Sequence, residues 1–289
     1  MKLTGIFAAV ATPFDHQGEL YKTKVQHNLE KWNQTALSGY VIASASGEGV
    51  LLSPEERCQL WELSAQAAGP AKLLIADASD ESVRGSLALA ERAAAAGFHA
   101  ILCGVPHFYK TMMYGAATQT LYFRSVADRS PLPVILHNAP HTTGVDISPE
   151  TTNLLSQHPN IVAVVETGTP VGRIRQIADF PVLCGTAASL LEALEAGAQG
   201  AVLPIASAVP YATIALWEAF RTREKEAALD WQQRLSHPSI LVTDLYGIAG
   251  LKHAMDGNGF YGGPPRLPLS GLSREAKKEI EAAFQNLKG

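Results

Sequence analysis

Asn160-Ile161-Val162-Ala163-Val164-Val165-Glu166-Thr167-Gly168 is an unbroken apolar run that stops at one carboxylate and then at a hydroxyl–glycine turn. Val162, Val164 and Val165 are β-branched, and Pro159 and Gly168 punctuate the ends, so the run reads as a strand buried on both faces. Strands of this kind belong to parallel sheets covered by helices, whose ligands sit at the carboxyl ends of the strands. Glu166 and Thr167 therefore stand at the expected functional rim.

Outward from this run, similar apolar segments alternate with helical patterns. Strands are expected at Gly5–Thr12, Tyr40–Ala45, Lys72–Ala78, Ala100–Val105, Pro133–Asn138, Asn160–Glu166, Pro181–Cys184 and Gly200–Pro204. Ser53-Pro54-Glu55-Glu56 has an N-cap serine, proline at the first helical position and glutamate at the third, and that helix should end at Gly69-Pro70. Asp80-Glu81 opens another helix that closes at Gly97, and Ser148-Pro149-Glu150 starts one in the same style. Eight β-α units close into a (β/α)₈ TIM barrel. The competing open, doubly wound sheet typically carries a G-x-G-x-x-G turn after its first strand, where this chain has Thr12-Pro13-Phe14-Asp15. Helical stretches near Tyr211–Arg221, Glu224–Ser236, Asp244–Met255 and Arg274–Leu287 exceed what one closing helix needs. The division expected is a barrel over 1–222 and a helical C-terminal extension over 223–289, packed on it as one structural unit.

Composition narrows the function classes. With 47% hydrophobic and 17% charged residues the chain has a compact core and is not a disordered one. A formal charge of -4 and the absence of any Lys/Arg block leave no footprint for nucleic acid. Cys58, Cys103 and Cys184 are widely spaced, without metal or redox spacing, which fits a reducing cytoplasm. The short apolar run Gly5–Ala11 after Lys2 faintly imitates a signal peptide, but its stop at Thr12-Pro13-Phe14 fits a first strand and its turn. No apolar segment approaches the roughly 20 residues that span a bilayer.

The expected rim comprises Thr12–Phe14, Ser44–Glu48, Asp77–Ser79, Pro106–Lys110, His137–Thr142, Glu166–Gly168, Gly185-Thr186 and Ile205–Ser207. Its hydroxyls and histidines suit a small polar ligand, an anion held by Ser/Thr and backbone N–H groups.

Several of these segments resemble the pyruvate-type class I aldolases related to dihydrodipicolinate synthase and N-acetylneuraminate lyase. Ser44-Ala45-Ser46-Gly47-Glu48 is similar to that family's G-[TS]-[TSN]-G-E carboxylate-binding loop, and Leu136-His137-Asn138-Ala139-Pro140 with Thr143-Gly144 to its L-Y-[NS]-x-P…T-G stretch. His158–Val162 matches the lead-in to its sixth strand. Tyr246–Lys252 and Phe260–Leu269 look most like the 4-hydroxy-2-oxoglutarate aldolase branch. The resemblance implies a barrel-top pocket where a sixth-strand lysine forms a Schiff base with a 2-oxo acid such as pyruvate. A strand-five tyrosine, a second-strand hydroxyl and a tyrosine after strand four would form its proton relay.

Carried over residue by residue, that machinery is largely missing. The lysine falls on Val165, which offers no amine. The strand-five tyrosine falls on His137, which can exchange protons near neutral pH. The loop hydroxyls fall on Ala45 and Ser46, and the strand-four tyrosine falls on Phe108, beside Tyr109. The arginine that the dihydrodipicolinate branch uses for a second carboxylate falls on Thr142, which argues against the lysine-biosynthesis substrate.

His137 is thus the candidate catalytic residue, against the plainer reading of a rim histidine bonded to a backbone carbonyl. Ser46, Gly47, Tyr109, Gly185 and Val202 are the candidate ligand contacts, although Ser46-Gly47 could simply lead into the Ser53 cap. His107, His137, His141 and Glu166 hint at a metal site. Pro140 interrupts the histidine spacing, however, and alternation turns Glu166 toward the helix layer, so neither metal nor cofactor is expected. Lys110 reads as a solvated loop charge rather than a displaced amine, and Lys252 as structural or interfacial. The run Phe260–Leu269 resembles a catalytic loop but mainly sets a turn.

Three readings follow. One is a lyase on a small 2-oxo or hydroxy acid that uses His137 and no imine, and another is a non-catalytic binder or regulatory paralogue. The least favoured is a Schiff-base aldolase with a relocated lysine. The partner expected is a small carboxylate, not nucleic acid or membrane, with a homo-oligomer (tetramer or dimer) implied by resemblance.

Overall fold

The computed structural model describes residues 1–168 and 170–287; residues 288 and 289 of the expected extension lie outside them. Strands β1 (Gly5–Ala9), β2 (Gly39–Ile42), β3 (Leu73–Asp77), β4 (Ala100–Gly104), β5 (Val134–Asn138), β6 (Ile161–Glu166), β7 (Val182–Cys184) and β8 (Gly200–Leu203) pair in sequence order, all parallel, and β8 closes on β1. The expected TIM barrel is the fold. β1 ends sooner than its apolar run, because Val10–Thr12 leaves the ladder after Val10 N donates to Val41 O.

Helices precede or follow the strands much as the caps dictate. Helix Pro54–Ala67 begins in a capping box: Ser53 Oγ accepts from Glu56 N at 3.1 Å while Glu56 Oε2 accepts from Ser53 N at 2.8 Å. Such a cap contributes about 1 kcal/mol. Helix Val83–Ala95 is capped by Ser82 instead of opening at Asp80-Glu81; Asp80 Oδ1 accepts from Ser82 N in the turn before it.

The barrel interior is a stack of side-chain layers. An eight-stranded barrel of shear about eight sets each side chain level with the residue two strands on along the ladder and two positions later. From the observed registers, Val41, Leu102, Val165 and Val202 make one layer above Phe7, Ile75, Ile135 and Leu183. All eight belong to one buried apolar cluster, separate from the core between strands and helices.

After β8, helices Pro210–Arg221, Lys225–Ile240, Gly247–Gly257 and Arg274–Ala283 follow. A π turn at Leu241–Leu245 displaces the expected start of the third from Asp244 to Gly247. The segment from Phe260 to Arg266 straps this region onto the barrel. Phe260 stacks on Trp32 with ring centres 5.4 Å apart, and Asn28 exchanges two hydrogen bonds with the Tyr261 backbone. Arg266 pairs bidentately with Glu56, which holds that carboxyl below its ordinary range. No helix among the described residues is long and apolar enough to cross a membrane.

Candidate functional site

The carboxyl ends of the strands carry one further inward layer, and it is unlike those beneath it. The same register rule sets Ala9, Asp77, His137 and Gly185 level with one another. Two small residues and two titratable ones therefore lie directly on the aliphatic layer that contains Val165. Ala9 and Gly185 bring little or no side chain to this level, and Thr167 and the Glu166 backbone close in on Gly185, whereas the layers below are filled by Val, Leu, Ile and Phe.

Val165 is 1% exposed and is the direct ladder partner of His137. No amine of the described residues is recorded against it. Among the described lysines, Lys72 donates to Thr35 O and Leu37 O, and exposed Lys110 opens a one-turn helix with its amine against Gly144. Lys252 is 1% exposed, with Nζ 2.5 Å from Glu48 Oε1, 2.9 Å from Pro264 O and 4.5 Å above the Phe14 ring. Burial lowers its pKa, against the opposing pull of Glu48. It supports the β2 loop from behind, a structural role as the sequence suggested.

His137 is half-buried, and its Nε2 lies 3.4 Å from Thr167 Oγ1, the next inward position on β6. Burial holds the imidazole below its ordinary value of 6.5, while the negative charge of Asp77 pulls the other way. Asp77 is buried, and its Oδ1 accepts from Ser79 N at 2.9 Å. Asp77 was named in the sequence only as part of a rim segment. Its inward direction follows from Ile75 two residues earlier, a signal the alternation contained.

The β2 loop leaves free donors beside this floor. Ala45–Gly47 forms a 3-10 turn in which Gly47 N donates to Ser44 O and Glu48 N to Ala45 O. The Gly47 N–H is therefore occupied, whereas the Ala45 and Ser46 N–H groups and the Ser46 hydroxyl have no protein partner among the described residues. Ala43 and Glu48 bracket the loop at φ 61 and 55, left-handed conformations that cost free energy and persist where surroundings enforce them. Gly49 is required there, since a Cβ would lie 1.8 Å from Ala43 O.

The remaining sequence candidates are spread out. Gly185 belongs to the floor layer and Val202 to the layer beneath. Tyr109 is 70% exposed, its ring edge-on to Phe108 at 5.1 Å. His107 pairs with Glu81 at 3.1 Å, and exposed His141 stands against Gly168. Glu166 faces outward, as alternation required; its Oε2 accepts from Asn138 Nδ2 and Arg173 Nε, and burial raises its pKa. Among the described residues no three His, Cys, Asp or Glu side chains gather as a metal site. A cleft of about 310 Å³ does exist in the helix layer, lined by Lys31, Tyr211, Asn258 and Phe260, but the Lys31 amine is spent on Gly259 O and the Phe260 ring.

Comparison with known proteins agrees with this architecture. Residues 2–287 match the Dihydrodipicolinate synthetase family. A 4-hydroxy-tetrahydrodipicolinate synthase from an Exiguobacterium strain is 30% identical, covering 98% of this chain and 97% of its own. An L-threo-3-deoxy-hexylosonate aldolase from Hypocrea jecorina is 28% identical over 97% and 95%. Among solved structures, a dihydrodipicolinate synthase from Bacillus anthracis superposes with a TM-score of 0.94 at 25% identity, covering all of both chains. A prophage protein of the same family from E. coli K12, solved in complex with pyruvate, gives 0.91 at 25% identity over 99% of each. The chain belongs to the dihydrodipicolinate synthetase family.

Proposed function

We propose that this protein binds a small 2-oxo or hydroxy acid at the mouth of the barrel and acts on it, where it acts, through His137 without an imine. The observation that carries this reading is Val165. A buried valine in ladder register with His137 occupies the sixth-strand position to which the family resemblance assigns a lysine. Imine formation needs an amine, and none of the described lysines lies in the barrel interior.

The ligand side of the reading rests on the Ala45 and Ser46 N–H groups and the Ser46 hydroxyl, which suit a carboxylate. The pyruvate complex of the E. coli relative supports the same ligand class. Thr142 in place of an arginine disfavours a substrate with a second carboxylate. Three free cysteines support a reducing, cytoplasmic setting, and the family likeness supports a homo-oligomer.

A non-catalytic binder is the alternative, since a pocket can outlive its chemistry. Borohydride reduction of the protein with pyruvate should leave its mass unchanged; an adduct on Lys110 or Lys252 would overturn the imine-free reading. A thermal-shift screen of 2-oxo and hydroxy acids, followed by turnover of the ligands found, separates enzyme from binder. Binding without turnover, unaffected by His137→Ala, would favour the binder.

A further inference from the structure

We propose that Asp77 is the electrostatic partner of His137, a positioning residue that stabilises the imidazolium formed when His137 removes a proton from C3 of a bound 2-oxo acid. This rests on reading the barrel mouth as a 2-oxo acid site. In the step, the C3–H electron pair becomes a C2=C3 bond and the C2=O pair moves onto oxygen. His137 holds the proton, and the Thr167 hydroxyl, beside the ring, is a neutral donor for the resulting enolate.

Three observations converge on Asp77. It shares the floor layer with His137 from the strand two removed, β3 against β5. One carboxylate oxygen is fixed by Ser79 N, while Oδ2 has no protein partner among the described residues. The other two members of the layer are Ala9 and Gly185, so nothing bulky at that level separates carboxylate from ring.

Among the described residues Asp77 is the charged side chain whose field reaches that ring. From β6, Thr167 and Val165 meet it, and from β4, Gly104 is its ladder partner. Glu166 and Arg173 pair on the outer face of β6, Lys110 lies against Gly144, and His141 lies against Gly168. A lone carboxylate in a half-buried apolar mouth is weakly screened, so it favours the charged form of a neighbouring imidazole. His107, His158 and His253 each have a carboxylate oxygen within 3.1 Å of a ring nitrogen, whereas no such contact is recorded for His137 among the described residues. Asp77 therefore acts on the ring through its field rather than through a direct ion pair.

The test has two readouts. First, NMR titration of the His137 ring, without ligand, in native protein, Asp77→Asn and Asp77→Glu. The midpoint should fall by about one unit in Asp77→Asn and return in Asp77→Glu; an unchanged midpoint overturns the proposal. Second, deuterium incorporation at C3 of pyruvate, 2-oxobutyrate and 2-oxoglutarate in D₂O, against pH. Native protein should exchange the acids it binds, and His137→Asn should abolish the exchange. Asp77→Asn should shift the acid limb to lower pH and reduce the plateau about tenfold. Binding without exchange, or superimposable native and Asp77→Asn profiles, overturns the proposal while the ligand site stands. Failure of native protein to bind any of the three acids overturns the ligand reading itself. Circular dichroism of each variant separates these outcomes from misfolding.

Discussion

Val165 and His137 are ladder partners at the carboxyl ends of β6 and β5, so the residue that lacks an amine lies beside the residue able to move a proton. On the imine-free reading proposed above, one substitution at this place should bring imine chemistry to the mouth. Val165→Lys introduces an amine into a layer of Val41, Leu102 and Val202, where desolvation favours the neutral, nucleophilic form. The variant should be less stable than native protein, yet form a borohydride-trappable adduct with pyruvate that native protein does not. A folded variant giving no adduct would mean that the mouth does not seat a 2-oxo carbonyl over β6.

Gly185 tests whether the close approach of β7 to Thr167, beside His137, shapes the mouth. A Cβ there would lie 2.6 Å from Thr167 Oγ1 and 2.9 Å from Glu166 O. Gly185→Ala should cost about 1–3 kcal/mol through overpacking. It should also weaken 2-oxo acid binding by more than the stability loss explains, measured by calorimetry at a temperature where the variant is fully folded. Unchanged affinity would remove Gly185 from the site.

Much of this was legible in the sequence, for reasons that differ by residue. The strands were legible because β-branched runs buried on both faces have few other fates, and their observed ends lie within three residues of those expected. The inward direction of Val165 came from the family resemblance, and the outward direction of Glu166 then followed by alternation. The pairing of Asp77 with His137 did not. It depends on shear, which offsets level from ladder register by two residues over two strands, and no single strand records that offset. Nor did the occupied Gly47 N–H show, because a 3-10 turn and an open loop share the same hydroxyl- and glycine-rich composition.

The Lys252–Glu48 pair fixes the β2 loop from outside the site. Glu48 Oε2 also accepts from Arg266 N at 2.7 Å, so the loop, helix Gly247–Gly257 and the strap all meet at one buried carboxylate. Removing one member of such a pair strands the other charge. Lys252→Met should destabilise by about 3–5 kcal/mol in urea unfolding. Adding Glu48→Gln should recover part of that loss, because the double variant buries no unpaired charge. Equal stability of native protein and Lys252→Met would show that the pair does not organise the loop.

The acid sensitivity of the fold should carry the signature of His137. Its folded pKa is depressed below 6.5 by burial, with Asp77 opposing. The unfolded chain therefore binds this proton more readily than the folded one. The associated stability is fully present above pH 6.5 and is lost as pH falls through the lower folded value. His137→Asn removes that linkage without adding a titrating group. Urea midpoints measured from pH 8 downward should run parallel for native and variant until about pH 6.5. Below it the native curve should fall away more steeply. Curves that stay parallel to pH 5, or a variant that is the more acid-sensitive of the two, would mean that the imidazole is not held below its ordinary value.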